Sequence, residues 1–184
     1  MLKKALRATA AIAIGTALFF VLARYVSIPV YASARVNFQY AILAVFAAVL
    51  GPVAGLIIGL IGHMLKELSY GWGFWWSWII VSGVAGFLFG FVTRGVRAAI
   101  KEGRPLTRGM VIRFVVGTAF VHLFAWGLVA PVLDVVFDLE HSSRVFSQGL
   151  FAFAGNAVTT AVVGVLVLFV FVKARRKYKA CTWL

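Results

Sequence analysis

The groups able to do chemistry or hold a ligand are few in this 184-residue chain, and they recur at helical spacing. His63, Lys66 and Glu67 fall within one helical turn of each other and share a face. Thr118, His122 and Trp126 follow at steps of four, and Gln148, Asn156 and Thr160 share a third face approximately. Two connections add to them, Asn37, Gln39 and Tyr40 in one, and Tyr70, Trp72, Trp75, Trp76 and Trp78 in the other. Aromatic walls with a few oriented polar groups suit capture of a small organic molecule. Tryptophans near a membrane edge also read as an interfacial belt, and His122 and Asn156 also read as groups bonded to neighbouring helices.

Catalytic patterns are missing. No G-x-x-x-x-G-K-[ST] loop is present, and His63, His122 and His141 lack H-E-x-x-H spacing. Ser77 and Ser82 have no G-x-S-x-G context. Cys181 is the single cysteine, which rules out an internal disulfide and a thiolate metal site. The expectation is a protein that is not an enzyme and needs no cofactor or metal.

The elements that must position these groups are membrane helices. Apolar residues make up 63% of the chain and charged ones 12%, with a mean hydropathy of +1.01. Lys3, Lys4 and Arg7 precede an apolar run as in a secretory signal, but Ala8–Ala23 is near spanning length and reads as a retained helix. Spans are expected at about residues 8–26, 38–50, 52–67, 74–92, 110–133 and 145–172, in one membrane domain covering 1–184. Between the first two lies a mixed segment, Ser27–Asn37.

Charge decides whether Phe38–Leu65 crosses once or twice. As one helix its 28 residues would reach about 42 Å, too long for a core of about 30 Å. Two crossings, broken at Gly51–Pro52, put Lys3, Lys4, Arg7, the basic stretch Arg94–Arg108 and the basic tail on one side. The positive-inside rule therefore predicts an all-α integral membrane protein, a bundle of six transmembrane helices with cytoplasmic N- and C-termini. The formal charge of +13 then belongs to membrane flanks rather than to nucleic acid binding. Glu67, Asp134, Asp138 and Glu140 fall on the outer side, and no carboxylate sits mid-membrane, unlike the usual proton-driven pump.

Small residues at four-residue spacing let helices approach closely. Gly51, Gly55 and Gly59, and then Ser82, Gly86 and Gly90, read as packing faces inside the bundle. Ala13 and Ala17, with Ala11 and Gly15 beside them, could equally face a separate membrane subunit.

The stretch FQYAILAVFAAVLGPVAGLIIGLIGHMLKELSYGWGFWWSWIIVSGVAGFLFG resembles the S-component of an energy-coupling factor (ECF) vitamin transporter. More narrowly it is similar to the riboflavin-type group, which includes a cobalamin-specific member. Its most specific piece is GPVAGLIIGLIGHMLKEL followed by the Trp-rich approach to the fourth span, and the likeness extends over nearly the whole chain. The resemblance implies a multi-pass subunit of a bacterial cytoplasmic membrane that captures a vitamin from outside. Its partners would be a transmembrane coupling subunit and two cytoplasmic ATPase subunits, where ATP is hydrolysed. The family's Ala-x-x-x-Ala docking face maps to Ala13 and Ala17. The family's pocket lies among the outer loops and helix ends that carry the polar and aromatic cluster above. Many relatives have a Pro/Thr/Asn-rich segment where this chain reads SIPVYASARVNF, so the vitamin does not transfer with the family. Cobalamin is the first expectation and riboflavin the second, because flat or macrocyclic rings stack on Trp and Tyr. The competing class is a stand-alone, ATP-independent small-molecule transporter or channel.

Overall fold

Helix α1, Leu2–Tyr25, contains no proline and runs as one unbroken helix. The computed structural model describes residues 2–31, 34–71, 73–137 and 142–178. After α1 the chain forms a feature that an all-helical reading does not contain. Strands β1 (Ser27–Tyr31) and β2 (Ala34–Asn37) pair antiparallel, with Ser27 opposite Asn37 and Ile28 opposite Val36. Pro29 lies within β1 and the valines and isoleucine around it favour extended backbone, which explains the departure from helix.

Helix α2, Gln39–Leu50, has only 12 residues, and nine of them are buried. It occupies the middle of the bundle, with buried side chains on every face. Gly51 ends it at φ 108°, a value that favours glycine, and Pro52 opens α3 (Pro52–Tyr70), where a missing N–H costs nothing. The break between the two helices is thus written into two adjacent residues.

Helix α4 (Trp76–Val92) is followed by α5 (Arg94–Lys101), bent from it by 59°. Val96, Ala99 and Ile100 of α5 are buried while Arg94 and Lys101 are exposed, as expected of a helix lying along an interface. Helix α6 (Arg108–His122) continues through a π-helical segment, Leu123–Val129, into α7 (Ala130–Val136). Helix α8 (Ser142–Thr159) continues through a second, Thr160–Gly164, into α9 (Val165–Tyr178). Among the described residues four helical stretches are long and apolar enough to cross a membrane: Ala5–Tyr25, Pro52–Tyr70, Arg108–Val136 and Arg144–Arg176. The bent α4–α5 pair makes a fifth candidate. This is a helical membrane protein.

The glycine stripes of α3 and α4 face each other. A Cβ added at Gly55 would lie 2.2 Å from the Gly86 carbonyl oxygen, and one at Gly59 would lie 2.2 Å from that of Ser82. Backbone therefore rests on backbone, the close approach that small residues permit in lipid. Helix α1 leans on the same pair: a Cβ at Gly15 would meet Phe46 and Ile58, and one at Gly62 would meet Phe19. The small residues of α1 thus divide between two faces. Ala11 and Gly15 are buried, whereas Ala13 and Ala17 are exposed. This corrects the expectation for Ala11 and Gly15, which turn into the bundle and are not available to a separate subunit.

Both ends of the bundle can be named from these connections. The upper end carries the hairpin, Tyr70 and the α3–α4 connection. The lower end carries Gly51 and α5, and there Pro105 and Leu106 line a groove with Lys173 and Arg176 of α9.

Candidate ligand-binding site

The polar groups of the upper half form two bonded clusters and one set of unpartnered atoms. The first cluster links α3, α4 and α2. His63 Nδ1 lies 2.5 Å from Ser82 Oγ, which in turn lies 3.0 Å from the Tyr40 hydroxyl. On the other side of the ring, Nε2 lies 3.2 Å from Glu67 Oε1, and Lys66 Nζ donates to that oxygen at 2.9 Å. One proton arrangement satisfies every member. His63 Nε2–H donates to Glu67, Ser82 donates to Nδ1, and the Tyr40 hydroxyl donates to Ser82. Stacking on Phe19 (5.6 Å, edge-on) completes the surroundings of Tyr40 from the α1 side.

The second cluster is centred on Asp134, a residue that the sequence leaves just beyond the fifth span. It lies in α7 and is buried. Trp75 Nε1 donates to Oδ1 and Trp78 Nε1 to Oδ2, both at 2.8 Å, and Ser77 also donates to Oδ1. A buried carboxylate is costly unless hydrogen-bonded, and here three donors from the start of α4 hold it. The indole N–H groups of Trp75 and Trp78 are therefore engaged by the protein itself.

Between the clusters lies a ring-lined centre. Tyr40 packs 5.0 Å from Trp126 and 5.8 Å from His122, and Trp126 packs 5.2 Å from Trp78. His122 Nε2 bonds the Thr160 hydroxyl at 2.9 Å. That bond joins the two π-helical segments, since one starts after His122 and the other starts at Thr160. π-Segments interrupt an α-helix at a cost and recur at functional sites. Four buried atoms here have no hydrogen-bond partner among the described residues: Gln39 Oε1, His122 Nδ1, Trp126 Nε1 and Asn156 Oδ1. Each leaves a cost of about 1–3 kcal/mol uncompensated, whereas buried polar atoms are nearly always paired.

The remaining sequence-predicted residues distribute around this centre. Gln148 is buried on α8. Asn37 sits at the end of β2, where its carbonyl accepts from Thr159 at 3.0 Å, and Gly155 packs against Val36, so the hairpin lies on α8. Tyr70 lies at the rim with the Arg24 guanidinium 4.5 Å from its ring centroid. Trp76 is 51% exposed and stacks on Phe74, directed away from the interior. Trp72 lies outside the described residues. Sequence reasoning did not assign Asp134, Ser77 or Ser82 to the site, and it read Thr160 only as sharing a face with Gln148 and Asn156. Ser82 was legible only as a small residue in a packing stripe, and its hydroxyl does the linking. Thr118 shares the His122 face, yet its hydroxyl donates to its own helix at Phe114 O, 2.7 Å, and so it takes no part in the cluster. No group of three or more metal-ligating side chains occurs among the described residues.

The family described as ECF-type riboflavin transporter, S component, matches this chain over residues 3–173. A UPF0397 protein of Enterococcus faecalis (strain ATCC 700802 / V583) is 40% identical over 176 residues, 95% of this chain and 94% of the relative. A UPF0397 protein of Staphylococcus aureus (strain bovine RF122 / ET3-1) is 34% identical over 168 residues, 91% of this chain and 90% of that one. One from strain Newman of the same species is 33% identical over the same length. No solved structure matches the chain.

Proposed function

Because the chain belongs to the family of ECF-type riboflavin transporter S components, we propose that it is the vitamin-binding subunit of an importer and that its site is the centre between Tyr40, His122, Trp126 and Asn156. The family is one of transporter subunits, not of enzymes. The observation that carries the site is the set of four unpartnered buried atoms, of which His122 Nδ1 and Trp126 Nε1 lie at the first π-helical segment and Asn156 Oδ1 lies one turn before the second. A ligand offering both donors and acceptors on a flat ring would complete them, and the surrounding rings supply its stacking surface.

Six crossings with both termini in the cytoplasm fit this reading. Helix α2 spans only about 18 Å, but β2 in front of it adds about 13 Å, so together they cross about 31 Å. Extended backbone at membrane depth is tolerated when protein covers it, and β2 lies on α8. The lower end, with Arg94, Arg97, Lys101, Arg104 and Arg108, faces the cytoplasm and the upper end faces outside. The exposed Ala13 and Ala17 would dock on a transmembrane coupling subunit served by two cytoplasmic ATPases.

The order of ligands reverses from that given by the sequence. Riboflavin comes first, because the uracil-like edge of its ring offers an N–H flanked by two carbonyls, which matches a mixed set of acceptors and donors. Cobalamin comes second, since its corrin would require the packed rings of Tyr40 and Trp126 to part much further. The test is purification from cells that contain both vitamins, followed by an absorption spectrum and titration of the stripped protein with each. Saturable quenching of tryptophan fluorescence by riboflavin supports the reading, and a corrinoid spectrum reverses the order again. Binding of neither vitamin, together with ATP-independent uptake into liposomes, would move the chain to the stand-alone class.

A further inference from the structure

At the lower end the elbow between α4 and α5 opens a wedge against the start of α6, about 670 Å³ in volume. Gly117 lets α6 come against Val92 beside it, and α5 turns away from α4 by 59°. Phe91, Ile112 and Val116 give it an apolar wall, and Arg94 and Arg113 are its two charged residues. Arg113 lies about 7 Å along α6 from the helix start, inside the span that begins at Arg108. Neither arginine makes an ion pair or hydrogen bond with any described residue. The neighbouring Arg97 differs, since it donates to the Gly90 carbonyl at 3.3 Å. Glu102, the acid of this end among the described residues, is held by Arg104. Two guanidinium groups without counter-charge, set above an apolar wall at headgroup depth, match a phosphate that carries acyl chains.

We propose that this wedge binds an anionic phospholipid of the cytoplasmic leaflet, with its phosphate between Arg94 and Arg113 and an acyl chain along Phe91, Ile112 and Val116. The leaflet rests on the orientation given under the proposed function; the pairing of phosphate with the two arginines does not. A protein partner would need acidic side chains of its own at a depth where lipid headgroups already supply negative charge.

The test compares spin-labelled phosphatidylglycerol with spin-labelled phosphatidylcholine at the protein surface in phosphatidylcholine bilayers. The intact chain should favour phosphatidylglycerol. Each of Arg94→Gln and Arg113→Gln should weaken that preference about fivefold, Arg113→Lys should keep part of it, and Arg104→Gln should leave it unchanged. Glycerol 3-phosphate, lacking acyl chains, should not compete. Equal loss from Arg104→Gln would reduce the site to a diffuse basic belt and overturn the proposal. Unchanged lipid preference in Arg94→Gln and Arg113→Gln, with loss of coupling-subunit assembly, would make the wedge a protein interface instead. Riboflavin titration of the same samples separates this outcome from failure of the vitamin-binding reading, because the wedge lies at the opposite end of the bundle.

Discussion

Replacing Asn156 by leucine separates a ligand site from an ordinary polar core. The two side chains have the same number of heavy atoms, and Asn156 is 1% exposed. Its Oδ1 has no partner among the described residues, which costs the unliganded protein about 1–3 kcal/mol. Asn156→Leu removes that cost and adds apolar contact. With a shift of about 2–4 °C per kcal/mol for a chain of this size, the unliganded protein should melt about 2–12 °C higher. The same change removes an acceptor that a bound ring N–H would use. Riboflavin affinity should fall about five- to 150-fold, the equivalent of 1–3 kcal/mol. The assays are thermal unfolding in detergent with and without riboflavin, and a fluorescence titration of the same samples. Opposite signs for stability and affinity are the signature. A lower melting temperature with intact binding would mean that Asn156 is a structural residue, and the argument from unpartnered atoms would fail.

Asp134→Ala strands one buried donor on Ser77 and two part-buried ones on Trp75 and Trp78, and should destabilise the protein by roughly 3 kcal/mol, with Asp134→Asn intermediate because it keeps one acceptor; thermal unfolding reads both. Gly86→Leu forces a Cβ to within 2.1 Å of the Gly55 carbonyl oxygen and should cost about 1–3 kcal/mol or more, while Gly109→Ala, with open space around it, should be nearly silent. Ala13→Leu and Ala17→Leu should abolish co-purification with the coupling subunit and leave riboflavin binding unchanged; loss of both together would remove the division of labour between the two faces.

What the sequence made legible were features set by neighbours in the chain. Gly51–Pro52 signals a break because one residue takes a positive φ and the next lacks an N–H, and both facts are local. The stripes on α3 and α4 announce close packing because only small residues permit it, although the sequence does not say which stripe meets which. His63, His122, Trp126 and Asn156 were found as polar or aromatic groups inside apolar runs, where they are expensive enough to stand out, and Gln39 and Tyr40 as groups of the connection before the second span. Three things escaped. The hairpin was hidden because a short mixed segment carries no helical period. The tryptophans were seen as ring surface, whereas two of them use their N–H groups on Asp134. The π-segments had no signal at all, because LFAWGLV and TAVVG read as ordinary helix.

That last omission has a geometric consequence that can be tested. In an uninterrupted α-helix, at about 100° per residue, His122 and Asp134 would point about 120° apart, and Trp126 and Asp134 about 80° apart. A π-bulge absorbs about one residue of that count, which reduces both separations to about 20°. The segment Leu123–Val129 therefore sets the phase that lets one helix face serve both the ring-lined centre and the Trp75–Trp78 cluster. Inserting one alanine after Gly127, which touches neither cluster, adds a residue that the π-segment does not absorb and should rotate α7 by about 100° away from α4, whereas deleting Gly127 leaves a plain α-helix with the same phase of about 20°. Riboflavin binding should be lost in the insertion variant and its melting temperature should fall about as far as in Asp134→Ala, while the deletion variant and Gly127→Ala should bind nearly normally. If the insertion variant binds as the intact chain does, the phase of α7 is incidental to the site and Asp134 has no part in shaping it.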